Sequence, residues 1–377
     1  MLEAMLCFTR RGAWLGLACL LVLGHLAAEP ENRIVLNLEP SAQNPRNSEG
    51  SFATLASGKI LFCFGQFYGG GQDDSPARIG EMVSSDQGRT WSRPRVAFDN
   101  ASNRNVMSVS LLRLASGKLA IFYIVKKDRW LDGRPVMRVS ADEGATWSEP
   151  RSIIAVPGYW ELNNDRAVQL KSGRIILPLA YYRTRGLADN ETSFDSHGLI
   201  FWYYSDDEGR SWKEAATWWG LPVADKGGMQ EPGVVVRADG SLFSWARTGV
   251  GSQYVFESRD DGVNWSPPRP SALISPMSPA SIKRLPGSDE LLAIYNDHSG
   301  RFPYVLRRSP LVAAISTDGG RTWPRRKRVE DDPKGWYCYT AIHFVDDAVL
   351  LAYCAGDDQV GGLARLRIRR LARTWLP

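Results

Sequence analysis

Histidine and cysteine are scarce in this chain, with 4 and 5 copies among 377 residues. Beyond residue 28 only Cys63, Cys338 and Cys354 remain, too few for a disulfide framework and enough for one pair at most. His197, His298 and His343 are far apart and lack metal-ligand spacing, so no zinc site and no cofactor is indicated. There is no run of five or six like charges, and the formal net charge of +5 is spread along the chain. That excludes a basic arm for nucleic acid, while a mildly basic balance suits an anionic substrate. Helical periodicity of useful length and low-complexity linkers are also missing, which leaves an all-β chain without a clear break between domains.

The first 28 residues differ from the rest. Arg10 and Arg11 precede an apolar run from Ala13 to Ala28, which closes on two alanines before Glu29-Pro30. This is the layout of a signal peptide, and the run is shorter than the roughly 20 residues that a spanning helix needs. Residues 1–28 are therefore expected to be removed, leaving residues 29–377 as a secreted or periplasmic domain with no stable membrane insertion.

What is plentiful is tryptophan, with 14 copies, and its spacing carries a repeat. Ser-x-Asp-x-Gly-x-x-Trp occurs five times, at Ser84–Trp91, Ser140–Trp147, Ser205–Trp212, Ser258–Trp265 and Ser316–Trp323. The aspartates Asp86, Asp142, Asp207, Asp260 and Asp318 stand 56, 65, 53 and 58 residues apart, a period typical of supersecondary units. In such a turn Asp accepts backbone N–H groups, Gly supplies a positive φ, and Trp folds back over the strands. One active site has no use for five equivalent carboxylates, so these residues are structural.

A second repeat, out of phase with the first, places Gly turns at Gly58, Gly117, Gly173, Gly240 and Gly287 and a related turn at Asp347. Six strand–turn–strand units imply a six-bladed β-propeller with five Asp-box turns, closed by Arg33–Leu38 pairing with the sixth blade. Counting nine residues back from each turn gives Glu49, Ser108, Asn164, Glu231, Ser278 and Cys338, which should ring the mouth of the channel. Their neighbourhoods are polar: Arg46-Asn47-Ser48-Glu49, Asn163-Asn164-Asp165-Arg166, Gln230-Glu231 and Tyr337-Cys338-Tyr339.

The Asp-box repeat resembles that of the sialidase (neuraminidase) superfamily and covers nearly all of residues 29–377. The resemblance implies a chain order of Arg, acid/base Asp, Glu, two further Arg and a nucleophilic Tyr. Glu231 followed by Arg247, Arg308 and Tyr339 is similar to the second half of that order. Asp73 and Asp74 precede the first Asp turn at about the distance of the acid/base, and Asp74 is preferred. The first blade departs from the pattern, since Asn47-Ser48-Glu49-Gly50 stands where the superfamily has its first Arg. Arg46 or Arg166 is left to replace it.

The chemistry implied is hydrolysis of a terminal sialic acid or related acidic sugar from a glycan. Arg247 and Arg308 would hold the carboxylate, and Glu231 would take the proton of Tyr339, whose reference pKa is about 10. Two alternatives stay open. One is a propeller glycosidase for a neutral sugar, with acid and base drawn from Glu49, Asp74, Asp165 and Glu231. The other is a non-catalytic propeller that binds glycans or assembles proteins. Trp130, Tyr159 and Trp160 are candidates for stacking on sugar rings, alongside Asn164 and Asp165 as polar contacts. Truncation after Ala28 is expected to leave a folded protein with an unchanged melting temperature, and loss of the cooperative transition would place residues 1–28 in the domain.

Overall fold

The computed structural model describes residues 31–101, 103–300 and 307–377, so the expected signal segment, residues 1–28, lies outside the described residues. Apart from two single 3-10 turns, Glu191–Ser193 and Arg373–Trp375, the described elements are strands. No helix among the described residues is long and apolar enough to cross a membrane.

The strands form five sheets, and the unit throughout is an antiparallel meander of four. The first comprises Arg46–Thr54, Ile60–Phe67, Ala77–Ser84 and Arg95–Phe98. Similar meanders open with Met229–Val236 and Ser281–Arg284. The meander that opens with Trp336–Phe344 takes its fourth strand from the start of the described chain, where Asn32–Leu38 pairs with Leu366–Ala372. The remaining sheet has nine strands. In it the runs starting at Asn105–Arg113 and Val168–Gln169 are joined by Tyr159–Glu161, which pairs with Gly133 on one side and Ala180–Tyr182 on the other. The sequence repeat gives no sign of this joining strand.

The second strand of each meander is buried on both faces, and its sequence is correspondingly a near-continuous apolar run, as in Ile60–Phe67 and Ala348–Gly356. Each face packs on a neighbouring meander through its own apolar cluster. Phe52, Phe62 and Met82 of the first, for example, pack with Leu350, Ala352 and Ile368 of the last. Leu61 and Ile79 of the first pack with Leu119 and Ile121 of the second. The fourth strands are exposed and charged, Arg325–Glu330 most of all, and charge on an edge strand opposes pairing with another chain.

The five Asp turns share one hydrogen-bond pattern. Asp207 Oδ1 accepts the Ser211 backbone N–H at 2.9 Å and the Ser205 hydroxyl at 2.8 Å, and Oδ2 accepts the Ser211 hydroxyl at 2.6 Å. Ser205 Oγ in turn accepts the Gly209 N–H at 2.8 Å. The glycine has a use that the turn alone does not reveal. A Cβ at Gly88 would lie 2.6 Å from Leu350, and one at Gly262 would lie 2.7 Å from Ile176, each a residue of a neighbouring meander. The tryptophans lie at the same junctions: Trp265 stacks on Trp202 at 4.3 Å, and Trp212 meets Phe122 edge-on at 6.2 Å. The motif thus sets a turn and a sheet-to-sheet contact together.

The Ser211 hydroxyl, against a smaller opposing effect of burial, and then the Ser211 and Ser205 donors hold the Asp207 carboxyl down at about 2. Its stabilising effect is present above the unfolded value of about 3.9 and is lost as pH falls toward 2. Asp207→Ala should cost about 1 kcal/mol at neutral pH. Melting curves should converge with those of the wild type between about pH 4 and pH 2.

Candidate active site

Five residues in the first strands, or just before them, adopt positive φ without being glycine: Glu49 (58°), Ser108 (61°), Asp165 (59°), Glu231 (47°) and Tyr339 (59°). At four of them the strand register shifts, between Ser48 and Ser51, Met107 and Ser110, Gln230 and Gly233, and Cys338 and Ala341. An inserted residue of this kind turns a side chain out of the ladder. The nine-residue count finds Glu49, Ser108 and Glu231, but in two units it misses by one, since Asp165 and Tyr339 carry the positive φ and not Asn164 and Cys338, and Ser278 is not among the five.

The bulges converge on a cavity of about 280 Å³, whose lining includes Glu49, Asp73, Asp74, Glu161, Glu231 and Tyr339. Tyr339 Oη donates to Glu231 Oε1 at 2.9 Å. Arg247 Nη1 lies 2.6 Å from Glu231 Oε2 and 3.4 Å from Tyr339 Oη, while its Nε donates to Gln230 Oε1 at 3.0 Å. The Arg308 guanidinium packs against the Tyr339 ring, 5.3 Å from its centroid, and lies at the same distance from Trp336. It is not in the cavity lining, but its charge acts on Tyr339 and on Arg247. Burial and the Glu231 charge push the Tyr339 phenol well above its usual value, against Arg308 and Arg247, so the phenol keeps its proton.

Arg46 is not in the lining itself but pairs with two carboxylates that are. It reaches Asp73 at 2.6 Å, Glu49 at 2.8 Å and the Gly71 carbonyl at 3.2 Å, and lies over Phe67 at 4.3 Å. Burial raises the Glu49 carboxyl, with Arg46 opposing. Burial would raise Asp73 as well, but Arg46 and then Lys126 outweigh it and hold that carboxyl at about 2. Asp74 pairs with Arg104 at 2.5 Å and Arg129 at 3.6 Å.

Three expected pocket residues are elsewhere. Arg166 is buried, donating to the Ala280 carbonyl at 2.9 Å and the Ser281 hydroxyl at 3.2 Å, so it does not replace a missing arginine in the cavity. Asn164 Nδ2 donates to the carbonyls of Gly50 and Tyr339 at 2.9 and 3.0 Å. Asp165 accepts from Ser51, Lys283 and the Ile342 N–H, all at 2.9 to 3.0 Å. Asn164 and Asp165 brace the strands beneath the cavity because backbone groups there lack ladder partners. Trp130 and Tyr159 do line the cavity, whereas Trp160 packs into the core on Tyr181 at 4.5 Å.

Two residues that the sequence did not single out belong to the lining. Lys126 Nζ donates to the Asp73 carbonyl at 3.0 Å, and Glu161 accepts from Tyr182 Oη at 2.8 Å. Burial and the Glu231 charge raise the Glu161 carboxyl to about 7. Glu161 lies on the joining strand Tyr159–Glu161, outside the repeat, so no count along the chain reaches it.

Residues 61–351 match the BNR repeat-like domain family. The chain belongs to it. This BNR repeat-like chain also has the sialidase fold. It superposes on a Hadza microbial sialidase with a TM-score of 0.71 at 18% identity, covering 92% of this chain and 69% of that one. For the NanB sialidase of Streptococcus pneumoniae the values are 0.69 and 16%, covering 92% and 71%. A protein of unknown function from Dyadobacter fermentans gives 0.70 and 18%, covering 91% of this chain and 100% of that one. No curated protein sequence matches.

Glu161 supplies a test of the site's electrostatics. A carboxyl raised on folding stabilises the folded state below its unfolded value of about 4.3, and that contribution is lost as pH rises through about 7. Glu161→Gln should therefore melt with the wild type near pH 4 and gain on it steadily up to about pH 7.5. A pH-independent difference in melting temperature would show that Glu161 is not held neutral.

Proposed function

We propose that this protein is a retaining exo-glycosidase of the sialidase type, acting on a terminal sialic acid or related acidic sugar of glycans outside the cytoplasm. The observation that carries this reading is the contact set at the cavity floor, Tyr339 Oη on Glu231 Oε1 at 2.9 Å with Arg247 bridging to the other carboxylate oxygen at 2.6 Å. The six meanders are then the blades of a six-bladed propeller, five of them with an Asp-box turn, and Asn32–Leu38 closes the ring. Residues 1–28 act as a signal peptide, and residues 29–377 are the exported domain.

A sialic acid carries its carboxylate on the reacting carbon, so a carboxylate nucleophile meets like-charge repulsion that a phenol avoids. Tyrosine nucleophiles are a known exception to the two-carboxylate scheme, and the mechanism is taken from that class. Tyr339 Oη attacks the anomeric carbon as its proton passes to Glu231, and the departing oxygen takes a proton from the acid/base. Asp74, in the lining and at about the expected distance before the first Asp turn, is taken as that group. Water then repeats the exchange in reverse and frees the sugar. Arg247, with Arg308 against the ring, supplies positive charge to the substrate carboxylate and to the phenolate as it forms.

One observation favours a second reading, a glycosidase for a neutral sugar. Glu161 keeps its proton to about pH 7 while Asp73 stays ionised, an acid and a base of opposite state in one cavity. A panel of fluorogenic α-sialosides and neutral glycosides separates the two, and binding without turnover would mark a non-catalytic glycan-binding propeller.

Under the leading reading, Tyr339→Phe and Glu231→Gln should each lower kcat on sialosides by about a thousandfold, and the double variant should be little worse than either. Arg247→Lys should raise KM at unchanged net charge, because the planar fork is lost. Full activity in Tyr339→Phe would sink the mechanism, and neutral-glycoside turnover that needs Glu161 would establish the second reading.

A further inference from the structure

A second cavity opens directly off the first. It holds about 950 Å³, and Trp130, Phe194 and Ser196 line both. Small-molecule clefts run to roughly 300–1,000 Å³, so the inner cavity suits a single sugar ring and the outer one a longer chain.

The outer cavity has built walls. One is the excursion of residues 183–198 between strands Ile175–Tyr182 and Leu199–Ser205. Its two arms are tied by Arg185 N–H donating to the Ser193 carbonyl at 2.7 Å and Asp195 N–H to the Arg183 carbonyl at 2.9 Å. Near its tip Asp189 accepts the backbone N–H groups of Arg129 and Trp130 at 3.1 and 2.9 Å, which fixes the excursion to the facing wall. His197 Nδ1 lies 3.0 Å from the Asp225 carbonyl and fixes the third side. A ligand entering here has little to order.

The lining is rich in donors. Arg183 and Arg185 both reach Asp195 Oδ2, at 3.0 and 2.9 Å, and their side chains remain 64% and 59% exposed. Glu191 and Asp225 line the cavity as well, so its charges balance, while Lys226 has no ion-pair partner among the described residues and the exposed Arg183 and Arg185 keep N–H groups open to a neutral ligand. Trp130 and Phe194 supply aromatic surface beside these donors, with ring centroids 5.2 Å apart. Hydroxyl-rich chains answer such a surface, because sugar oxygens accept from the N–H groups while the C–H face of a ring covers the aromatic side chain.

We propose that the outer cavity binds the leaving-group side of the substrate, a glycan chain of two or more sugars continuing from the ring held in the inner cavity. The continuity with a cleaved ring rests on the glycosidase reading; the affinity of the cleft for a sugar chain does not. Contacts remote from the reacting bond raise turnover when they hold that bond in place.

The test is Arg185→Ala combined with Lys226→Ala, which leaves Asp195 paired with Arg183, and Lys226→Ala alone serves if the double variant melts early. Three measurements are compared with the wild type: calorimetric titration with the free tetrasaccharide lacto-N-neotetraose, kcat/KM on an aryl α-sialoside, and kcat/KM on the sialylated tetrasaccharide. The expected result is tetrasaccharide binding by the wild type, with affinity and turnover of the extended substrate falling about tenfold or more in the variant while aryl sialoside turnover is unchanged. Absence of tetrasaccharide binding in the wild type, or unchanged affinity in the variant, overturns the proposal. If the wild type cleaves no sialoside but the variant loses tetrasaccharide binding, the glycosidase reading falls and the subsite stands.

Discussion

The inner strands meet where each has left its ladder, and their freed backbone groups have to find partners away from bulk water. The segment Asn163-Asn164-Asp165-Arg166 supplies them. From one meander it reaches four others: Asp165 N–H donates to the Val109 carbonyl, Asn164 to those of Gly50 and Tyr339, Arg166 to that of Ala280, while Asp165 accepts from Ile342 N–H. Lys283 returns to Asp165 at 2.8 Å and so neutralises its charge. Two of the pinned carbonyls belong to Gly50 and Tyr339, next to Glu49 and at the phenol itself. The brace is therefore also what fixes the spacing across the cavity.

Given that brace, positive φ at Glu49, Glu231 and Tyr339 becomes intelligible. A residue with a Cβ in this region costs of order 1–3 kcal/mol and persists only where its surroundings overdetermine it. The return is direction. An ordinary strand sends alternate side chains to the two neighbouring sheets, whereas a bulge at its entry turns one side chain out of that alternation. Glu231 and Tyr339, 108 positions apart in the chain, meet at 2.9 Å in this way.

Features set by local chemistry were legible in the sequence. The Asp turns form within eight residues, from Ser84 to Trp91 and its copies, so their hydrogen bonds follow from residue type and order. The sequence of Glu231, Arg247 and Tyr339 along the chain pointed to the same three residues that meet in space. The one-residue error at Asn164 and Cys338 arises because a fixed count cannot see which residue takes up the positive φ. Glu161 was out of reach for a different reason: its strand, Tyr159–Glu161, exists only because Gly133 and Ala180–Tyr182 offer it edges, and these are long-range pairings. Arg46 and Arg166 show the limit of argument from charge alone, since both are arginines near the centre and neither lines the cavity.

The charge pattern reconciles a cavity of five carboxyl groups with the anionic substrate proposed for it. Glu49 and Asp73 share Arg46, Asp74 has Arg104 and Arg129, and Glu231 has Arg247. Glu161 alone has no ion-pair partner among the described residues, and it is the carboxyl that burial and Glu231 drive toward the neutral form. Two neighbouring carboxyls separate into a charged and an uncharged member when only one has a cation at hand. The repulsion between Glu49 and an anionic sugar is reduced in two ways: burial raises the Glu49 carboxyl, and Lys126 shares with Arg46 the charge of Asp73.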